Sequence, residues 1–213
     1  MADNSINWPK FDRDSIQGDA VIGLLTEYAC SKGITLRGFY CSDVDVSLIE
    51  EAIDSLVVIA EKYPYASKEP LTLFLDRQMP STDFAYISKR HPYMIHLNVN
   101  AYRCREALSS EYANLASEGW FVRGTNYRHI IFHEYGHILS HPYRIDDRVL
   151  AESLLNMTRE QADVHLMSIL SGYAVSRQKG EIYAEIISAS MLESPPSFAL
   201  LFIAEYNKII AGG

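Results

Sequence analysis

His133 and His137 lie four residues apart in a segment whose Ile130, Ile131, Ile138 and Leu139 suit a buried helix. Four residues is about one helical turn, so both imidazoles project from one face and can reach one metal ion. Glu134 follows the first histidine and is placed to take a proton from a water on that ion. Zinc suits this chemistry: it takes imidazole and carboxylate ligands tetrahedrally, keeps one position open, and lowers a water pKa to about 7. Gly136 precedes the second histidine and leaves room for another helix to pack closely. His129 and His141 continue the stripe one turn each way, but drift around the axis because four residues overshoot a 3.6-residue turn. They are expected to support the site or meet solvent. His91 and His165 lack ligand spacing, and His96 matters only if its strand borders the site.

A catalytic zinc needs a third protein ligand, and the residues leave Glu152, Glu160, Asp163, Glu181 and Glu185 open. Pro142 and Tyr143 interrupt the helix before a third histidine at H-E-x-x-H-x-x-G-x-x-H spacing. Glu160-Gln161-Ala162-Asp163 misses an E-x-x-A-D pattern by one residue, since the glutamate would fall on Arg159. Leu170-Ser171-Gly172-Tyr173-Ala174, followed by Glu181-Ile182-Tyr183-Ala184-Glu185, resembles the zincin peptidase domain of anthrax lethal factor and its short phage and bacterial relatives. In that family a tyrosine lies shortly before an E-[FY]-[FY]-A-E helix. Ser117-Glu118-Gly119-Trp120, Gly124-Thr125 and Ile130 through His137 are similar to its lead-in, and Ala85-Tyr86 with Ile95-His96-Leu97-Asn98 to its strand pair. Ile182 stands where the family has an aromatic, and the interval from Tyr173 to Glu181 is one residue longer.

The resemblance covers roughly residues 70–193 and implies a zinc-dependent metalloendopeptidase of the HExxH…E type, acting on a protein or peptide. It implies that Glu181 is the third Zn²⁺ ligand beside His133 and His137, and that Tyr173 assists Glu134 in catalysis. Glu185, one turn beyond Glu181, is expected to accept a hydrogen bond from a zinc histidine. The strand Ile95–Val99, with His96 and Leu97, or its neighbour, is expected to align an extended substrate. Two rival readings are a zincin-scaffold binding protein that cleaves nothing, and a phage or mobile-element accessory protein with an incidental H-E-x-x-H.

The elements that must position these residues follow from periodicity and turn chemistry. Ile16, Ala20, Val21, Leu24, Leu25 and Tyr28 predict a first helix closed by Gly33. Ile34 to Phe39 predicts a strand. Ser47-Leu48-Ile49-Glu50 reads as a capping box opening a second helix, which Pro64 ends. Strands are predicted at 71–75, 84–88 and 94–99, and helices at 103–117, 125–140, 146–171, 180–192 and 196–210. A small sheet followed by a helical half is an α+β arrangement, and the resemblance implies a zincin-like one. No repeat or linker interrupts it, so residues 1–213 are read as one domain, with 1–45 a possible extension or partner-recognition segment.

Composition narrows the partners. The net charge of −8 and the lack of a Lys/Arg cluster argue against nucleic acid. No apolar run approaches the roughly 20 residues that span a bilayer. The polar opening lacks the features of a secretory signal, so a cytoplasmic origin is expected, with signal-independent delivery as the alternative. Cys30, Cys41 and Cys104 are far apart and are expected to be reduced, mostly buried thiols.

Overall fold

Apolar spacing builds the first helices of the computed structural model, which describes residues 17–39, 44–176 and 180–212. Helix α1 (Gln17–Ser31) buries Val21, Leu25 and Ala29 and turns Leu24 outward. Gly33 then takes φ +75°, the left-handed conformation natural to glycine, and leads into strand β1 (Ile34–Arg37). Helix α2 (Val46–Lys62) starts before the expected capping box. Its cap is Asp45, whose carboxylate accepts from the Ser47 N–H at 3.0 Å. Ile16 and Cys41 lie outside the described residues. Cys30 and Cys104 are exposed rather than buried, and the Cys104 thiol donates to Glu106 at 3.2 Å.

Strands β2 (Leu71–Asp76), β3 (Ala85–Ser88) and β4 (His91–Asn98) complete a four-stranded sheet in the order β1-β2-β4-β3. The first three in that order run parallel, and β3 closes the sheet antiparallel to β4. β1 therefore belongs to the sheet, although it falls within the segment read as a possible extension. Leu73, Leu75, Ile95 and Leu97 project into the core, while Phe74 and His96 lie on the other face. β4 is hydrogen-bonded on both edges and β3 on one, so β3 is an edge strand, as β1 is at the other side of the sheet.

The second half is helical: α3 (Arg105–Ser117), α4 (His129–Ser140), α5 (Asp147–Leu155), α6 (Arg159–Ile169), α7 (Glu181–Ala189) and α8 (Ser197–Gly212). The whole is α+β. The helix expected over 146–171 is in fact two. Asn156 turns left-handed at φ 51° to end α5, and Thr158 with Gln161 forms a capping box that starts α6. That T-x-x-Q was legible, but apolar residues on both sides masked the break.

α7 is buried along its whole length, as befits a central helix. Its main neighbour is α4, and Gly136 is the reason the two approach so closely. A Cβ at Gly136 would sit 2.6 Å from Ala184 Cα, inside any permissible contact with backbone. The far end of α7 is fixed as well: Tyr63 donates to Ser190 Oγ at 2.9 Å, and Lys62 to the Ser190 carbonyl at 2.7 Å.

Gly136→Ala tests this packing by the sign of its effect. Helix propensity alone favours alanine by roughly 1 kcal/mol. Forcing α7 away should cost about 1–3 kcal/mol, so net destabilisation in denaturant titration is expected. A stabilised variant would show that the helices are free to move apart.

Candidate metal centre

α4 carries His133, Glu134 and His137, and α7 carries Glu181, Glu185 and Ser188 at i, i+4 and i+7 on the face toward α4. The facing stripes bring three donor atoms together. His133 Nε2 lies 3.2 Å from His137 Nε2 and 3.2 Å from Glu181 Oε2, and His137 Nε2 lies 3.7 Å from the same oxygen. Zinc bound tetrahedrally at about 2.0–2.2 Å has ligand–ligand edges of roughly 3.3–3.6 Å, so this triangle is the size a zinc ion spans. Glu181 Oε2 is buried and, apart from its 3.2 Å approach to His133 Nε2 and the longer one to His137, meets no partner among the described residues. An acceptor oxygen facing two imidazole nitrogens in this way fits a cation among them.

His133 Nδ1 donates to Glu185 Oε1 at 2.6 Å, the partnership expected of Glu185. That bond leaves Nε2 free to bind a metal through its lone pair. Burial alone would lower the His133 pKa, but carboxylates at both ring nitrogens outweigh it and hold the imidazole well above its usual value. His137 behaves oppositely: burial and the neighbouring His133 charge press it down to about 4. Glu134 is pushed up to about 7, first by burial and then by Glu181, against the pull of His133. A metal ion in the triangle would replace the His133 proton and draw Glu134 back down.

These residues open into a cavity of 460 Å³, within the range of small-molecule and peptide sites. One wall is the edge strand, from Asp83 through Lys89. Another is aromatic: Phe121 stacks on Tyr112 at 4.4 Å and on Tyr173 at 5.3 Å, with Phe84 alongside. Tyr173 begins a short 3-10 turn before α7, with its ring edge-on to His133 at 6.1 Å. The turn hangs on the loop before α4: Gly172 N–H donates to the Gly119 carbonyl at 2.7 Å, and Trp120 covers the Gly172 Cα. Burial and four nearby carboxylates raise the Tyr173 pKa, so its hydroxyl keeps the proton.

His133, Glu134, His137, Tyr173, Glu181 and Glu185 thus line one cavity. His96 and Leu97 do not. Both stand on the interior strand β4: Leu97 faces the core, and His96 binds Asp76 at 3.2 Å and stacks on Tyr86 on the other face. From Ile95 to Leu97, β4 is paired with β2 on one side and β3 on the other, which leaves no open edge there for a peptide. Glu152 and Glu160 lie off the cavity, and Asp163 pairs with Arg148. Phe121, Phe84 and Tyr112 were missed, because aromatic residues spread over three segments give no local pattern. Comparisons of the chain with protein-family models, curated proteins and solved structures return no match.

His129 is in the cavity wall and 7% exposed, with Nε2 unpartnered. Burial, aided by Arg128, lowers its pKa to about 4. An unfolded chain binds this proton near pH 6.5 and the folded chain only near 4. His129 therefore leaves stability intact above pH 6.5 and erodes it as pH falls toward 4, by up to about 3 kcal/mol. Urea unfolding of the metal-free protein across that window should show a steeper loss in the parent than in His129→Gln. Parallel curves would show that the imidazole is protonated within the fold.

Proposed function

We propose that this protein is a zinc-dependent metalloendopeptidase with a zincin-type site. The observation that carries the reading is the meeting of His133, His137 and Glu181 donor atoms within 4.8 Å of one another, with Glu134 beside them in a cavity. The α+β arrangement, with its sheet edge along the cavity, agrees with the resemblance in sequence.

A zinc ion held by the three ligands would supply Lewis acidity, polarising the scissile carbonyl and making a water more acidic. The protein's own groups do the rest. Glu134 accepts the proton of the attacking water as its oxygen bonds to the carbonyl carbon, and returns that proton to the leaving amine as the C–N bond breaks. The Tyr173 hydroxyl donates to the oxygen that gains charge. The free edge of β3 offers main-chain groups to an extended peptide and can align it along the cavity without demanding many side-chain pockets. Phe84, Tyr112 and Phe121 present an apolar surface beside the metal triangle for one substrate side chain.

Purified protein should contain one zinc ion per chain and cleave a peptide library in a chelator-sensitive manner. Glu134→Gln should keep the zinc and the fold but lose turnover by at least a thousandfold, since an amide cannot take the water's proton. No stoichiometric zinc would discard the metal reading. Zinc without cleavage would return the chain to a binding role on the same scaffold.

Tyr173→Phe removes one donor and keeps the ring's stacking. Loss of such a donor costs about 2.7–4 kcal/mol of transition-state stabilisation, so kcat should fall roughly a hundred- to a thousandfold with KM little changed. Full turnover with an altered melting temperature would place Tyr173 among the packing residues.

A further inference from the structure

The helix that carries Glu181 starts without a cap of its own. The N-cap of α7 is Gly180, at φ +88°, which has no side chain to bond to the first turn. Helices leave their first N–H groups unsatisfied, and a buried start needs acceptors from elsewhere. They come from another helix. Asp147, the first residue of α5 and 6% exposed, accepts from Gly180 N–H through Oδ1 at 3.4 Å and from Tyr183 N–H through Oδ2 at 3.2 Å. A carboxylate in that place also meets the positive end of the helix dipole.

Asp147 is free for this because α5 does not use it. The cap of α5 is the neighbouring Asp146, whose Oδ1 accepts from Arg148 and Val149 N–H at 3.2 Å each. On its other side, the Gly180–Glu181 junction meets the metal helix. A Cβ at Gly180 would lie 3.4 Å from His137 Nδ1, and the positive φ already restricts the position to glycine. The junction is thus wedged between the Asp147 carboxylate and the His137 ring. Glu181 is its second residue.

We propose that Asp147 is a positioning residue of the metal centre, fixing the start of α7 so that Glu181 meets His133 and His137 at one point. This rests on the metal-site reading above. Asp147 touches neither the donor triangle nor the cavity, and acts only through the backbone of α7. The groups that orient metal ligands typically change affinity 10- to 100-fold when removed, and Asp147 should fall in that range.

The test compares full-length Asp147→Ala, Asp147→Asn and Asp146→Ala. Zinc affinity is read by competition with a chromophoric chelator, site geometry by the absorption spectrum of the cobalt-substituted protein, and stability by melting of the metal-free chain. Asp147→Ala should weaken zinc binding at least tenfold and alter the cobalt spectrum. Asp147→Asn keeps an acceptor oxygen and should recover part of that loss. Asp146→Ala removes the α5 cap next door and should lower the melting temperature while leaving zinc affinity within twofold.

Zinc affinity within twofold of the parent in a folded Asp147→Ala protein would overturn the proposal. So would an Asp146→Ala variant that loses as much affinity, because the effect would then be general destabilisation. If Asp147→Ala does not fold, Asp147→Asn decides: a Kd raised at least threefold with a changed cobalt spectrum supports the role, and unchanged values refute it. A parent protein that binds no zinc would remove the metal-site reading and this role with it, whereas zinc bound equally by parent and variants removes only this role.

Discussion

The approach of α4 to α7 at Gly136 and Ala184 is the contact on which the rest of the site depends. Only a residue without a side chain allows Ala184 Cα so near α4. Once the helices are that close, the face of α7 bearing Glu181, Glu185 and Ser188 confronts the histidines across the cavity. Two carboxylates are thereby buried, at 7% and 2% exposure. Buried carboxylates are unfavourable unless a positive charge or hydrogen-bond donors meet them. His133 meets both at once, with one ring nitrogen toward each.

The electrostatics of the centre follow from that sandwich. His133 between two carboxylates favours the cation, and its charge in turn keeps His137 neutral. A cationic His133 thus faces the Glu181 carboxylate, whose pKa it lowers against the effect of burial. Glu134, buried one residue along the helix, is pushed up to about 7, first by burial and then by Glu181, while His133 opposes the rise. The tyrosine hydroxyl facing the same carboxylates remains a donor for the same reason.

The sheet and the loops supply the approach. The sheet ends on β1 at one side and on β3 at the other, and β3 is the edge strand that lies along the cavity. The segment holding Tyr173 is tied at both ends: to the loop before α4 through Gly119 and Trp120, and to α5 through Arg148, which donates to the Ser176 carbonyl at 3.2 Å. The adjacent Asp147 holds the start of α7. The N-terminus of α5 thus touches both segments that bring groups from outside α4 to the site, although it lines no part of the cavity.

His133, Glu134 and His137 were legible because their relation is local. A four-residue spacing puts two side chains on one helix face whatever surrounds the helix. The same holds for most helices, for the strand positions, and for Gly33 as the end of α1. The third donor had no such local rule. Five acids remained open, and the sequence resemblance pointed to Glu181; the structure brings Glu181 to the histidines and leaves Glu152, Glu160 and Asp163 outside. Asp45 as a cap and the break at Asn156 also differ from the expectation, although their partners Ser47, Glu152, Ser153 and Gln161 are close in sequence. The pairing of β4 on both edges depends on strands that become neighbours only when the chain folds. Asp147 is the sharpest case: read locally it is one more acid at a helix start, and only tertiary packing sets its carboxylate against the N–H groups of α7. Spacing along the chain decides what shares a helix face, whereas the meeting of two helices depends on every side chain packed between them.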